Sequence, residues 1–293
     1  MRSSNARRAL AATGWAAGVL VLGLLSGCAA QQPQSAASAK EPALGAVTPI
    51  QSETQVSRPI DTYLPNTQEL LALLNVETRK VNECLSSKSI SGTYAPSAQP
   101  SLLTPFVAGL LADNVKRNGL WGFFDTDREQ TSRYGYTRSP DLPGTLIAAI
   151  PAGAGESVQE CLTNADEGLP SKLRVMSLAD ISSLPNGGPA IPSTDSRWTV
   201  AAKEWAQCMK DAGFPDYANP LDAIGNPQWH TDTSGTVSSE QTSTASADIS
   251  CKVATNLVGI GLAVQTAYDQ AYIDQNREAL DAYKKQLDMY LSK

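Results

Sequence analysis

Five cysteines set most of the chemistry open to this chain, and the first of them sits in the most specific context. Cys28 follows Leu25-Ser26-Gly27, behind an apolar run from Ala9 to Leu25 and a basic start at Arg2, Arg7 and Arg8. That arrangement is a lipobox. The enzymes that act on it attach lipid to the thiol and cut the peptide just before it, and they need small side chains ahead of the cysteine. Reading the run as a transmembrane helix meets three objections. It falls short of the roughly 20 residues that span a bilayer, its basic residues precede it at the N-terminus, and it closes on small residues before a cysteine. The sequence therefore predicts a signal peptide over 1–27, lipidation of Cys28, and a position on the outer face of the cell membrane. A single acyl chain holds a protein only marginally, whereas two or more hold it stably.

The other four, Cys84, Cys161, Cys208 and Cys251, are an even set in an exported chain and read as two disulfides, with three pairings open. Cys84 with Cys161 and Cys208 with Cys251 is the favoured pairing, because it closes one loop in each half of the protein. Zinc is the rival use of such residues. No two of these cysteines lie close together and the sole histidine is His230, so no metal and no other cofactor is assigned.

Other constellations carry less. A serine nucleophile needs a positioned base, yet His230 lies in a polar stretch and no Gly-x-Ser-x-Gly elbow is present. Glu83, Glu160 and Glu204 flank the cysteine-bearing faces and are the acids nearest to a glycosidase-like pair, though acids beside a buried face are usually solvated. Asp125-x-Asp127-x-Glu129 alternates carboxylates as a hard cation would want, but lacks the glycine and later acid of an EF-hand loop. It reads as a turn leading into a helix. Trp121, Phe123, Phe124, Tyr134 and Tyr136 form the densest aromatic group. Their ordinary use is to fill a core; exposed, they would stack on a sugar or on a partner's side chains, and they are the binding candidates. No catalytic residue is assigned.

These residues need elements to hold them. Charged residues make up 18% of the chain and hydrophobic ones 42%, enough for the core of one domain or two small ones. The formal charge of −6 becomes more negative once the three leader arginines are removed, which makes nucleic acid an unfavourable partner. Residues 28–60 read as the lipidated cysteine and a flexible Ala/Gln/Ser/Pro tether, with an r.m.s. reach of roughly 30 Å. A first helix opens at Asn66-Thr67 and carries Leu70, Leu74, Val81 and Leu85 on one face. Shorter helices are expected over Pro105 to Lys116 and Glu156 to Asn164, with irregular structure from Asn118 to Ser139. Residues 61–183 form the N-terminal half, 184–196 a Pro/Gly-rich connector, and 197–293 a helical C-terminal half. Within that half, a helix runs from Arg197 to Ala212, a polar loop from Asn219 to Ser246, and a long helical stripe follows to Leu291, weakest at Gly259-Gly261 and between Ile273 and Ala279. The fold class is mainly α: a disulfide-stapled helical ectodomain with long irregular loops.

Three segments share one layout: Val81-x-x-Cys84-Leu85, Val158-x-x-Cys161-Leu162 and Trp205-x-x-Cys208-Met209. Apolar groups three before and one after a cysteine put all three on one helix face. The last of these continues as Gly213-Phe214 with Tyr217 just after, and Cys251 opens the long C-terminal helix. Together with the lipobox, this resembles a group of envelope lipoproteins common in actinobacteria, some of which work beside envelope ABC transporters and peptidoglycan-binding proteins. The likeness covers residues 1–28 and about 198–290. It implies an envelope location and a disulfide-tied helical fold, and brings no catalytic residues with it. The expected role is a non-catalytic binding or accessory module held on the membrane by its N-terminal lipid, facing an envelope protein or the cell wall. An envelope hydrolase using paired carboxylates and a solute-binding lipoprotein are the alternatives.

Overall fold

The computed structural model describes residues 41–117, 119–137, 146–230 and 237–292. The leader, Cys28 and residues 28–40 of the expected tether lie outside the described residues. Eight α-helices follow one another among them: α1 (Thr67–Ser87), α2 (Pro100–Arg117), α3 (Arg128–Tyr134), α4 (Gly155–Asp166), α5 (Ser196–Asp211), α6 (Pro220–Ile224), α7 (Ser239–Ala254) and α8 (Leu257–Leu291). The described residues contain no strand, only a single antiparallel bridge between Ala95 and Ala149. None of the helices among them is by itself long and apolar enough to cross a membrane.

Local chemistry sets the helix starts. Asn66 Oδ1 accepts from the backbone of Gln68 and Glu69, while Glu69 reaches back to the Asn66 N–H, a complete capping box for α1. Asp195 caps α5, and Gly213 ends it with φ of 95°, a conformation that suits glycine. Asp127 caps α3, so the alternating acids do lead into a helix as expected. The polar stretch 219–246 departs from expectation. It holds α6, a short turn at Pro227–His230, and the start of α7. Asn219 caps α6 and Pro220 fills its first position. In α7 the hydroxyls of Thr244, Ser246 and Ser250 bond carbonyls one turn back, which lets a Ser/Thr-rich sequence stay helical.

Helix α8 is the spine. Its N-terminal half joins a core with Trp121, Phe124, Trp205 and Met209, and its C-terminal half joins a second with α1 and the 175–184 turns. A third, smaller core surrounds Val81, Leu85, Val158 and Cys161. The expected weak point at Gly259-Gly261 is not where the chain breaks. The bend of 70° between α7 and α8 falls at Asn256, which takes the left-handed conformation. Gly259 serves a different purpose: a Cβ there would come within 2.2 Å of the Thr48 carbonyl. The fading stripe after Ile273 matches a non-helical residue at Asn276.

That close approach corrects the tether. Residues 41–60 were expected to be a flexible spacer, yet they run pinned along the body. Glu41 accepts from the backbone and hydroxyl of Ser196, and Ile50 N–H donates to Asn256. Glu53 accepts from Thr126, and Arg58 makes a two-pronged pair with buried Asp269. Ile50 and Ile60 are buried. Low-complexity composition hid two apolar anchors and three side-chain clamps.

Both favoured disulfides are formed. Cys84–Cys161 ties α1 to α4 and Cys208–Cys251 ties α5 to α7, each with Cα atoms 5.7 Å apart.

Candidate functional site

The aromatic group is core, which corrects its reading as a binding surface. Trp121 and Phe124 are wholly buried, and Phe123 and Tyr136 nearly so. Phe123 meets Tyr136 edge-on at 5.6 Å between ring centres, and Tyr136 lies 6.3 Å from Trp229. Only Tyr134 is half-buried, on the rim of a groove. The physical reason is a charge that the irregular segment brings inside. Lys252 of α7, with no exposed surface, donates to the Phe123 carbonyl at 2.6 Å and to Asp248 at 2.7 Å. Asp248, equally buried, also accepts from the Tyr136 hydroxyl and the Trp205 indole. Burial pushes the Asp248 carboxyl up and the Lys252 ammonium down, and their mutual attraction opposes both shifts. Burial, with the Asp248 charge beside it, also drives the Tyr136 phenol upward.

Helix α2 carries the open surface. Of its 18 residues only Val107 and Asp113 are buried, although its sequence is apolar. A groove lies along each flank. The first, about 320 Å3, brings Phe123 and Tyr134 together with Asp125 and Asp127. Its charges are already matched: Lys116 to Asp125 at 2.5 Å, and Arg117 to Asp113 at 2.8 Å. Asp127 is spent on capping α3, and Glu129 pairs with Arg133. The alternating acids thus serve as cap and ion-pair partners. Among the described residues no group of three His, Cys, Asp or Glu side chains is placed to hold a metal.

The second cleft, about 450 Å3, lies between α2 and the segment around residues 56–67. Ala108, Leu111, Ala112 and Val115 line it from α2 at i, i+3, i+4 and i+7, one face of the helix. Val56 and Leu64 come from the opposite side, and Trp121 lies beneath. The indole Nε1 of Trp121 is buried and has no hydrogen-bond partner. Such an orphan donor costs roughly 1–3 kcal/mol. Sequence reasoning found Trp121 but not the cleft, since the walls come from α2 and from a segment taken for a spacer.

The candidate acids Glu83, Glu160 and Glu204 are all exposed, and Glu160 pairs with Lys88 at 2.9 Å. The pair that the fold does bring together is Glu77 and Asp166, both buried, beside Arg174 of the 170–184 turns. The available signal was an acid inside an apolar stripe, for Glu77 stands between Leu74 and Val81. Burial is the main reason that the Glu77 carboxyl is pushed up to about 7; Arg174 pulls it down, and the charge of Asp166 pushes it further up. Asp166 is raised as well, again by burial. Glu77 Oε1 and Asp166 Oδ1 lack a donor unless one of the acids holds a proton. These acids line neither cleft.

A pH dependence follows. An acid with a raised folded-state pKa keeps its proton in the fold between about 4.5 and 7 while the unfolded chain has lost it. Stability is therefore highest below that window and falls as pH rises through it, by roughly 2–3 kcal/mol in all. Thermal unfolding is expected to give a higher Tm at pH 5 than at pH 8, and Glu77→Gln should flatten that slope. An unchanged slope in Glu77→Gln would show that another group is responsible.

No protein-family model matches the chain, and neither a curated protein nor a solved structure matches it.

Proposed function

We propose that the chain is a lipid-anchored protein of the cell envelope that acts by binding, with the cleft along α2 as its binding site. The observation that carries the reading is α2 itself, an apolar helix left largely uncovered beside a cleft of about 450 Å3. A cleft of that size, mostly apolar with a few polar groups, has the general form of a small-ligand site. The lipobox supports the anchor, and two disulfides fit an oxidising compartment outside the cytoplasm. The resemblance of the Trp205-x-x-Cys208-Met209 region to envelope lipoproteins points the same way. Residues 41–293 form one compact unit, which favours a single binding module over a two-lobed solute binder. The cations and acids of the first groove are paired with one another, which favours binding over carboxylate catalysis there.

Two measurements test the reading. Cells fed a fatty-acid label should incorporate it into the wild-type chain and not into Cys28→Ala; an unlabelled wild-type chain would remove the anchor. A photo-crosslinking residue at Val115, on the rim of the cleft and 41% exposed, should form a light-dependent adduct in the native envelope. The same residue at Met289, exposed elsewhere on α8, should not. Equal behaviour at the two positions would count against the cleft as the binding site.

A further inference from the structure

We infer that the cleft between α2 and the segment 56–67 takes an uncharged, mainly apolar small molecule that carries a hydrogen-bond acceptor for the Trp121 indole. The inference rests on the cleft being the binding site proposed above and narrows it to one ligand class. Size comes first. About 450 Å3 leaves room for on the order of ten to fifteen methylene-sized groups, at the ~30 Å3 of a water molecule. That is a short acyl or isoprenoid length rather than a protein surface.

Charge narrows it further. The cation on the rim is Arg58, and its guanidinium is held by Asp269 through two bonds of 2.8 and 2.6 Å. Asp269 has no exposed surface, so that pair is fixed in the fold. Asp61 stands next to it on the same rim and accepts from the Arg58 backbone N–H at 2.8 Å. An anionic headgroup would meet two carboxylates and a guanidinium already engaged. Burial raises the Asp61 carboxyl, so the same environment disfavours further charge of its own sign. The acceptor requirement comes from Trp121. Its ring belongs to the lining, it is wholly buried, and its Nε1 has no partner in the fold. A donor in that position is satisfied by a ligand carbonyl, ether or ester oxygen, which a quaternary ammonium does not offer.

The test uses the mature chain with Cys28→Ala, so that no attached acyl group competes. The probe is N-phenyl-1-naphthylamine, an uncharged fluorophore. It is displaced by three amphiphiles of equal chain length, each below its critical micelle concentration: monodecanoylglycerol, decanoate and decyltrimethylammonium. The probe is expected to bind, and monodecanoylglycerol to displace it at concentrations about tenfold lower than either ion. Ala112→Phe, which fills the cleft from an exposed position on α2, should weaken the probe at least tenfold without changing Tm. Trp121→Phe should weaken monodecanoylglycerol about five- to tenfold, the size of one hydrogen bond, and leave the probe nearly unaffected. Displacement by decanoate or by the ammonium as good as by the neutral compound would overturn the ligand class while leaving the cleft as the site. An unchanged response in Trp121→Phe would overturn the acceptor assignment alone. No probe binding, or binding that Ala112→Phe leaves intact, would overturn the inference and the proposed site together.

Discussion

Replacing Asp248 by alanine is expected to cost about 3–5 kcal/mol of folding stability, the range for breaking a buried ion pair by removing one partner. Asp248 and Lys252 have no exposed surface. Alanine at 248 would leave the Lys252 ammonium facing only the Phe123 carbonyl, and would orphan the Trp205 and Tyr136 donors at the same time. Urea unfolding at neutral pH reads the loss as a lower midpoint. The double variant Asp248→Leu with Lys252→Met removes both charges and fills their space with apolar groups, so it should recover most of the stability. A single variant within about 1 kcal/mol of wild type would mean that water reaches the pair. The pair also has a positional effect. Phe123 and Tyr136 both belong to the irregular segment 119–137, so Lys252 and Asp248 fasten that segment to α5 and α7. The segment in turn supplies Trp121 to the cleft.

Helix starts and the disulfides were legible because they depend on short-range chemistry. Asn66 with Glu69, and Asp195 with Gly213, announce α1 and α5 through groups only a few residues apart. The cysteine pairing followed from an even count and the spacing along the chain. What stayed hidden depends on partners far away in sequence. Arg58 finds Asp269 more than two hundred residues on, and Ile50 finds Asn256, so composition alone made residues 41–60 look like a spacer. The aromatic segment was ambiguous for the same reason. Whether Trp121 and Phe124 face solvent or core is decided by α5, α7 and α8, which lie at least sixty residues downstream. Asp248 and Lys252 were passed over because an i, i+4 pair of opposite charges is normally a solvated helix edge. On α7 that edge is turned inward.

The cleft has a related origin. Helix α2 is apolar on more faces than the body can cover, and one of its flanks meets only the pinned segment 56–67 and the turns near residue 180. A helix fully packed against α1 would have no groove. The side that α1 leaves open is the side where Ala108, Leu111, Ala112 and Val115 line up. The clamps on residues 41–60 therefore do more than fix a terminus: Arg58 with Asp269 holds in place one wall of the site.

Removing Cys84–Cys161 as a pair of alanines is expected to cost about 4 kcal/mol, and removing Cys208–Cys251 a similar amount. The chain-entropy cost depends only logarithmically on the separations of 77 and 43 residues. The two losses should nevertheless be distributed differently. Helix α4 packs on α1 within the smallest of the three cores, where Val158, Cys161, Leu162 and Ala165 are its contribution. Little else holds α4, so the first variant should lose hydrogen-exchange protection over 155–166 well before the global transition. Cys208–Cys251 instead lies against the large core with Trp205, Met209 and Leu257. There the second variant should lower protection across α5, α7 and α8 together, in one cooperative step. Uniform loss of protection in both variants would mean that α4 is held by its apolar face alone, and that the first bridge adds stability without organising the helix it joins.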